Sequence, residues 1–214
     1  MRFRSAIFLL ITWLINTSCS SLNNKPTKAY LEANPPTPIR INGLLAVPRY
    51  STHVASLLNC GPDTLGIEVN STYVYYPFGT VKSTRHPNLK LLRKFKLVNR
   101  IIKSEIGDIN VQILQHDSSK LILYFNTVNG SKYSEILKGE IRDTDVSFVN
   151  GIKVGMAIDN FYKCFFDQFP HELYGQYKFF ELSSTDGIKH IYSFDNGKLN
   201  SVKLSSMRAF DTNY

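Results

Sequence analysis

From Ile39 onward, apolar and polar positions alternate in short runs over most of the chain, and this pattern predicts strands separated by turn clusters. Ile109 to Gln115, Lys120 to Asn126 and Tyr133 to Ile141, divided by His116-Asp117-Ser118-Ser119 and Asn126 to Ser131, read as an antiparallel meander. Ile39, Ile41 and Leu44 to Val47 suggest a further strand stopped by Pro48. Leu65 to Phe78, rich in Ile, Val and Tyr and broken near Asn70-Ser71, reads as a hairpin. Thr52 to Leu58 has the look of a brief helix running into a turn cluster at Asn59 to Asp63. A helical period replaces the alternation most clearly at Ile158, Phe161, Tyr162, Phe165, Phe166 and Phe169, one apolar stripe that Pro170 ends. Met156 and Phe161 are spaced as a hydrophobic staple, and Asp159 places negative charge in the first turn. Leu89 to Lys103 carries both periods: Leu91, Leu92, Phe95, Val98 and Ile102 are spaced as a helix face, while Val98, Ile101 and Ile102 are β-branched. The reading leans to helix.

After the stripe come aromatic and β-branched runs, with Asn196-Gly197 between Ile191 to Phe194 and Leu199 to Val202. That dipeptide suits the two positive-φ positions of a type I′ turn, so a hairpin is expected. The implied fold class is α+β, antiparallel sheet with one or two packed amphipathic helices. It divides into an N-terminal module over 39–146 and a helix-plus-sheet module over 147–214. Ile41-Asn42-Gly43 and Val149-Asn150-Gly151, each followed by an apolar spacing, form a faint echo of the kind duplication leaves. Asn150-Gly151-Ile152-Lys153-Val154-Gly155-Met156, the amphipathic helix and the Tyr192 to Leu199 hairpin together resemble the repeat unit of small outer-membrane assembly lipoproteins of the SmpA/OmlA (BamE) type. The tandem modules of β-lactamase-inhibitor proteins look similar. The resemblance covers the last quarter of the chain; it implies a BamE-like α+β module, possibly repeated, that binds other proteins without catalysis.

The N-terminus carries a different signal. Arg2 and Arg4 precede Ala6 to Ile15, an apolar run of about ten residues where a bilayer span needs about 20, and Asn16-Thr17-Ser18-Cys19 follows. Residues 1–18 therefore read as an export signal and Cys19 as the lipid-attachment residue of a lipobox, with Asn16 standing where leucine is usual. Cleavage by an ordinary signal peptidase and an uncleaved anchor are the alternatives. Residues 19–38, with Pro26, Pro35 and Pro36, read as a tether. The expected location is the cell envelope, held by lipid at the outer rather than the inner membrane and facing the periplasm or the surface.

Charge adds one local feature. The formal charge of +8 falls to +6 once Arg2 and Arg4 are removed. Lys82, Arg85, Lys90, Arg93, Lys94, Lys96, Arg100 and Lys103 exceed that sum with no acidic residue among them. Such a face suits anionic lipid headgroups or an acidic envelope protein; a solvated face that resists aggregation is the competing account. Nucleic acid is not an expected partner of an exported chain.

Candidate chemistry is sparse. With Cys19 taken by lipid, Cys60 and Cys164 can pair, closing a loop of about a hundred residues and adding roughly 4 to 5 kcal/mol; two free thiols are the alternative. His53, His86, His116, His171 and His190 are dispersed, without metal-ligand spacing, and read as surface or turn residues. Hydrolase and nucleotide-loop signatures are absent, so neither a cofactor nor a metal is expected. Tyr73, Tyr75 and Tyr76 beside Pro77-Phe78, with Tyr174, Tyr177 and Phe179-Phe180, suggest an aromatic binding surface or, equally, core packing. The leading function is non-enzymatic binding in the envelope; an exported enzyme with an unrecognised site is the alternative.

Overall fold

The computed structural model describes residues 35–79, 94–104, 107–128 and 131–206. From Pro36 onward the described residues fall within one compact unit, which spans Pro36–Tyr214. Its described residues are built mostly of strands, with only short helical turns, which overturns the α+β expectation.

It opens with β1 (Ile39–Ile41) and β2 (Leu44–Pro48), joined by Asn42-Gly43 with φ of 49° and 83°, a two-residue turn that a β-branched residue would strain. A single 3₁₀ turn, Tyr50–Thr52, leads into β3 (Val54–Leu58), where a helix was expected. β4 (Thr64–Val69) pairs back on β3, and one helical turn, α1 (Thr72–Tyr75), takes the place of the second strand expected there. The Ser71 side chain decides that outcome: its oxygen accepts from the Tyr73 amide at 3.3 Å and caps the turn.

β5 (Lys96–Ser104) occupies the second half of the stretch read as helical. Its β-branched residues favour the extended backbone, and Leu97 reaches the core while Lys96 and Val98 stay exposed, a period of two. β6 (Gly107–His116), β7 (Ser119–Val128) and β8 (Ser131–Ile141) complete the expected meander. The helix expected over the stripe shrinks to α2 (Ile158–Tyr162), followed by a turn and β9 (Phe166–Gln168). Adjacent Phe165 and Phe166 are both buried in the bend, so the apolar density that resembled a wide stripe fills a corner instead. A 3₁₀ turn at His171–Leu173 then leads to β10 (Phe179–Ser183), β11 (Lys189–Asp195) and β12 (Lys198–Ser205). The expected Asn196-Gly197 hairpin turn, φ 49° and 71°, joins the last two.

Among the described residues the strands form a small sheet, β1-β2-β9, and a nine-stranded sheet in the order β3-β4-β10-β11-β12-β8-β7-β6-β5. The three C-terminal strands lie as one block between two groups of N-terminal strands in the large sheet: β4 pairs in parallel with β10, and β8 antiparallel with β12. One row of register partners crosses all nine strands on the core face: Leu57, Ile67, Leu182, His190, Leu204, Gly139, Leu121, Leu114 and Leu97. At Gly139 the space for a Cβ is filled by the Leu121 side chain and closed by the Lys120 carbonyl. The core is aromatic where α2 lies against β10 and β11, with Phe161 within 5.2 Å, centroid to centroid, of Phe165, Phe180, Tyr192 and Phe194. A second, aliphatic cluster of Val111, Ile113, Ile122 and Leu137 lies among β6, β7 and β8. No described helix is long and apolar enough to cross a membrane.

Candidate binding cleft

Tyr73 is carried on α1 and half-buried above β11, where its hydroxyl lies 2.7 Å from that of Tyr192. Tyr192 in turn meets His190 Nδ1 at 3.2 Å, and His190 Nε2 meets the Val74 carbonyl oxygen at 3.0 Å. The last contact orients the chain of bonds. A carbonyl can only accept, so Nε2 carries the proton and Nδ1 is bare. Tyr192 must donate to Nδ1, which leaves its oxygen to accept from Tyr73. Asn150 lies beside this series, and its Oδ1 accepts from the Ile152 amide at 3.3 Å. The series runs Tyr73, Tyr192, His190, Val74, every member neutral. Burial holds His190 uncharged with its pKa pushed down to about 3, and burial likewise raises both tyrosines.

His190 was read as a surface residue and is 1% exposed. Val74 supplies the physical reason: a one-turn helix leaves its last carbonyls without partners, and His190 satisfies one of them from inside the sheet.

Beside this series lies a half-open cleft of about 200 Å³, lined by Thr52, Ser71, Tyr73, Asn150, Cys164 and Phe165, among others. Thr52 donates to the Phe165 carbonyl at 2.9 Å, and the Cys164 thiol to the Asn160 carbonyl at 3.4 Å. Burial raises the Cys164 thiol, with Arg49 pulling weakly the other way. No base contacts that thiol among the described residues, so it is a poor nucleophile. Ser71, buried, accepts the Tyr73 amide, and its own hydroxyl proton meets no acceptor among the described residues.

Cys164 and Cys60 are both free thiols, contrary to the expected pairing. Cys60 lies against Gly66 and Glu181 on the face of β4 and β10 away from the aromatic core, whereas Cys164 packs against that core, so the sheet separates them. Of the expected aromatic surface, Phe78, Tyr177 and Phe180 are buried, Tyr73, Tyr75, Tyr76 and Tyr174 half-buried, and Phe179 exposed.

Of the expected basic face, Lys82, Arg85, Lys90 and Arg93 lie outside the described residues, as does Cys19. Lys96, Arg100 and Lys103 fall on β5, the sheet's edge, and Lys94 pairs with Asp145 at 2.6 Å. Lys94 first, then His116, holds the Asp145 carboxyl below its usual range. Burial opposes ionisation of nearby Asp143, but hydrogen bonds from Ser118 and Ser119 outweigh it. His116 lies 3.1 Å from Asp145, while the Ser118 hydroxyl donates to Asp143 at 2.5 Å. The serine and histidine thus serve different carboxylates, clasping the β6–β7 turn to the segment after β8 rather than forming a nucleophile and base. No group of His, Cys, Asp and Glu among the described residues is arranged to hold a metal.

Comparison with known proteins finds no matching family model, no matching curated protein and no matching solved structure.

Proposed function

We propose that the chain is an exported, lipid-anchored binding module of the cell envelope that acts without catalysis, capturing an extended segment of a partner protein on the outer edge of β3. The observation that carries this reading is the character of that edge. β3 ends the nine-stranded sheet, has no charged residue, and exposes Ala55, Ser56 and Leu57, the last at 41%. An uncharged, exposed edge offers a row of backbone donors and acceptors to an incoming strand, and alternate side chains beside it give selectivity. The neutral hydrogen-bond series and the raised Cys164 thiol support binding over catalysis, since neither supplies a charged acid, a base or an activated nucleophile.

A photo-crosslinking residue at position 56, introduced into the full chain in intact cells, tests the edge. The expected product joins one partner at one extended segment, and Leu57→Lys abolishes it while the same probe at Lys96 on β5 gives none. Products scattered over many segments, or unaffected by Leu57→Lys, would defeat the proposal. Mass analysis of the N-terminal peptide tests the anchor separately, with a diacylated Cys19 as the expected result.

A further inference from the structure

We propose that the cleft beside α1 is a binding site for an uncharged carbonyl-bearing group, a carboxamide above all. The argument rests on which hydrogen-bond positions are already taken. Thr52 and Cys164 have spent their protons on the Phe165 and Asn160 carbonyls, and Tyr73 has spent its own on Tyr192. Four hydroxyl or amide donors at the cleft wall meet no acceptor among the described residues: Ser51 and Thr72, which are exposed and open to water, and Ser71, 8% exposed, and the half-buried Asn150 amide, which are not. A buried donor without an acceptor costs on the order of 1–3 kcal/mol, so a guest that accepts is favoured over one that donates. The Ile152 backbone amide fixes which way the Asn150 amide points, because it engages Oδ1.

Size and charge narrow the class. About 200 Å³ falls short of the roughly 300 Å³ at which drug-sized sites begin, and matches a single side chain or a small amide. No Lys, Arg, His, Asp or Glu among the described residues lines the cleft, so a carboxylate would enter without a counter-charge in contact from them. Phe165, Val69 and Leu182 supply an apolar floor for the guest's methylenes. An asparagine or glutamine side chain of a partner and a free small amide present the same chemistry. The site is independent of β3: it stands or falls without the edge proposal.

The test is a titration of the full chain, followed by backbone amide shifts at Ser71, Tyr73 and Ile152. Acetamide, acetate and two pentapeptides differing only in a central Gln or Glu are the probes. Acetamide and the Gln peptide should shift these amides saturably, with acetate and the Glu peptide at least tenfold weaker. Cys164→Leu fills the cleft without removing a donor and should abolish the response; Ser71→Ala should weaken it about tenfold. The two variants guard against a lost cap being mistaken for a lost site, since Cys164→Leu leaves α1 capped. A Gln peptide binding tenfold or more tighter than acetamide supports the site and identifies the guest as a polypeptide side chain; equal affinities support it and identify a free amide. The inference is overturned if acetamide gives no saturable shift, if acetate matches it, or if both variants respond as the unaltered chain does.

Discussion

The two edges of the nine-stranded sheet follow opposite rules. β5 runs for nine residues and carries Lys96, Arg100 and Lys103, whereas β3 runs for five and carries no charge. A long edge without charge is a template for unwanted pairing, and lysine or arginine along it is a common deterrent. β3 has only its brevity and the register shift between Val54 and Ser56 to discourage addition. The contrast is between an edge that carries charge and one that does not.

The largest test removes the packing behind the uncharged edge. Phe161→Ala empties the meeting point of four rings and should cost about 3–5 kcal/mol, measured by denaturant unfolding. A loss below about 1 kcal/mol would mean that this flank does not rest on its aromatic core.

Gly139→Ala strikes the junction, because β8 joins the meander to β12. A methyl there would press on Leu121 and the Lys120 carbonyl, so a cost of about 1–3 kcal/mol is expected, read as a lowered thermal midpoint.

Acidification singles out the side of the uncharged edge again. His190 is neutral in the fold down to about pH 3, while an unfolded histidine takes up a proton near 6.5. Between those values the unfolded chain binds the extra proton, so its stabilising share is complete above about pH 6.5 and shrinks as pH falls. From pH 7 to pH 5 the loss should be about 2 kcal/mol, and His190→Gln should flatten the profile. Its contacts, Tyr73, Tyr192 and Val74, carry no charge in this range. Asp143 and Asp145, with depressed pKa values, contribute stability that is lost only below about pH 4. A slope unchanged by His190→Gln would show that the histidine does not govern it.

The smallest change in stability belongs to the edge. Leu57→Lys, at an exposed position, should alter the unfolding free energy by less than about 0.5 kcal/mol while ending partner capture. Threonine at positions 96 and 103 should do the reverse on β5, leaving the fold intact and allowing self-association, visible as concentration-dependent sedimentation.

The sequence disclosed some of this architecture better than the rest, for local reasons. Asn196-Gly197 and the meander were readable because turn chemistry and period two are short-range properties. The stripe from Ile158 to Phe169 misled because helix, turn and strand in succession each place aromatics inward, and their sum imitates one helical face. Val98, Ile101 and Ile102 pointed correctly to a strand that the surrounding spacing obscured. The cleft was hidden for a different reason. Ser71, Asn150, Cys164 and His190 come from distant parts of the chain, and only the parallel pairing of β4 with β10 brings their elements together. Asn70-Ser71 read only as a break in a hairpin and Asn150-Gly151 only as part of a repeat pattern, and nothing local tied either to His190.

That same parallel pairing has a kinetic consequence. Leu65 on β4 must find Phe180 on β10 across more than a hundred residues, while the hairpins between β5 and β8 close over a few. Contacts so remote in sequence carry a larger loop-closure penalty and form slowly. The meander should therefore nucleate first, and β3 should take its place at the rim only after the C-terminal strands have arrived.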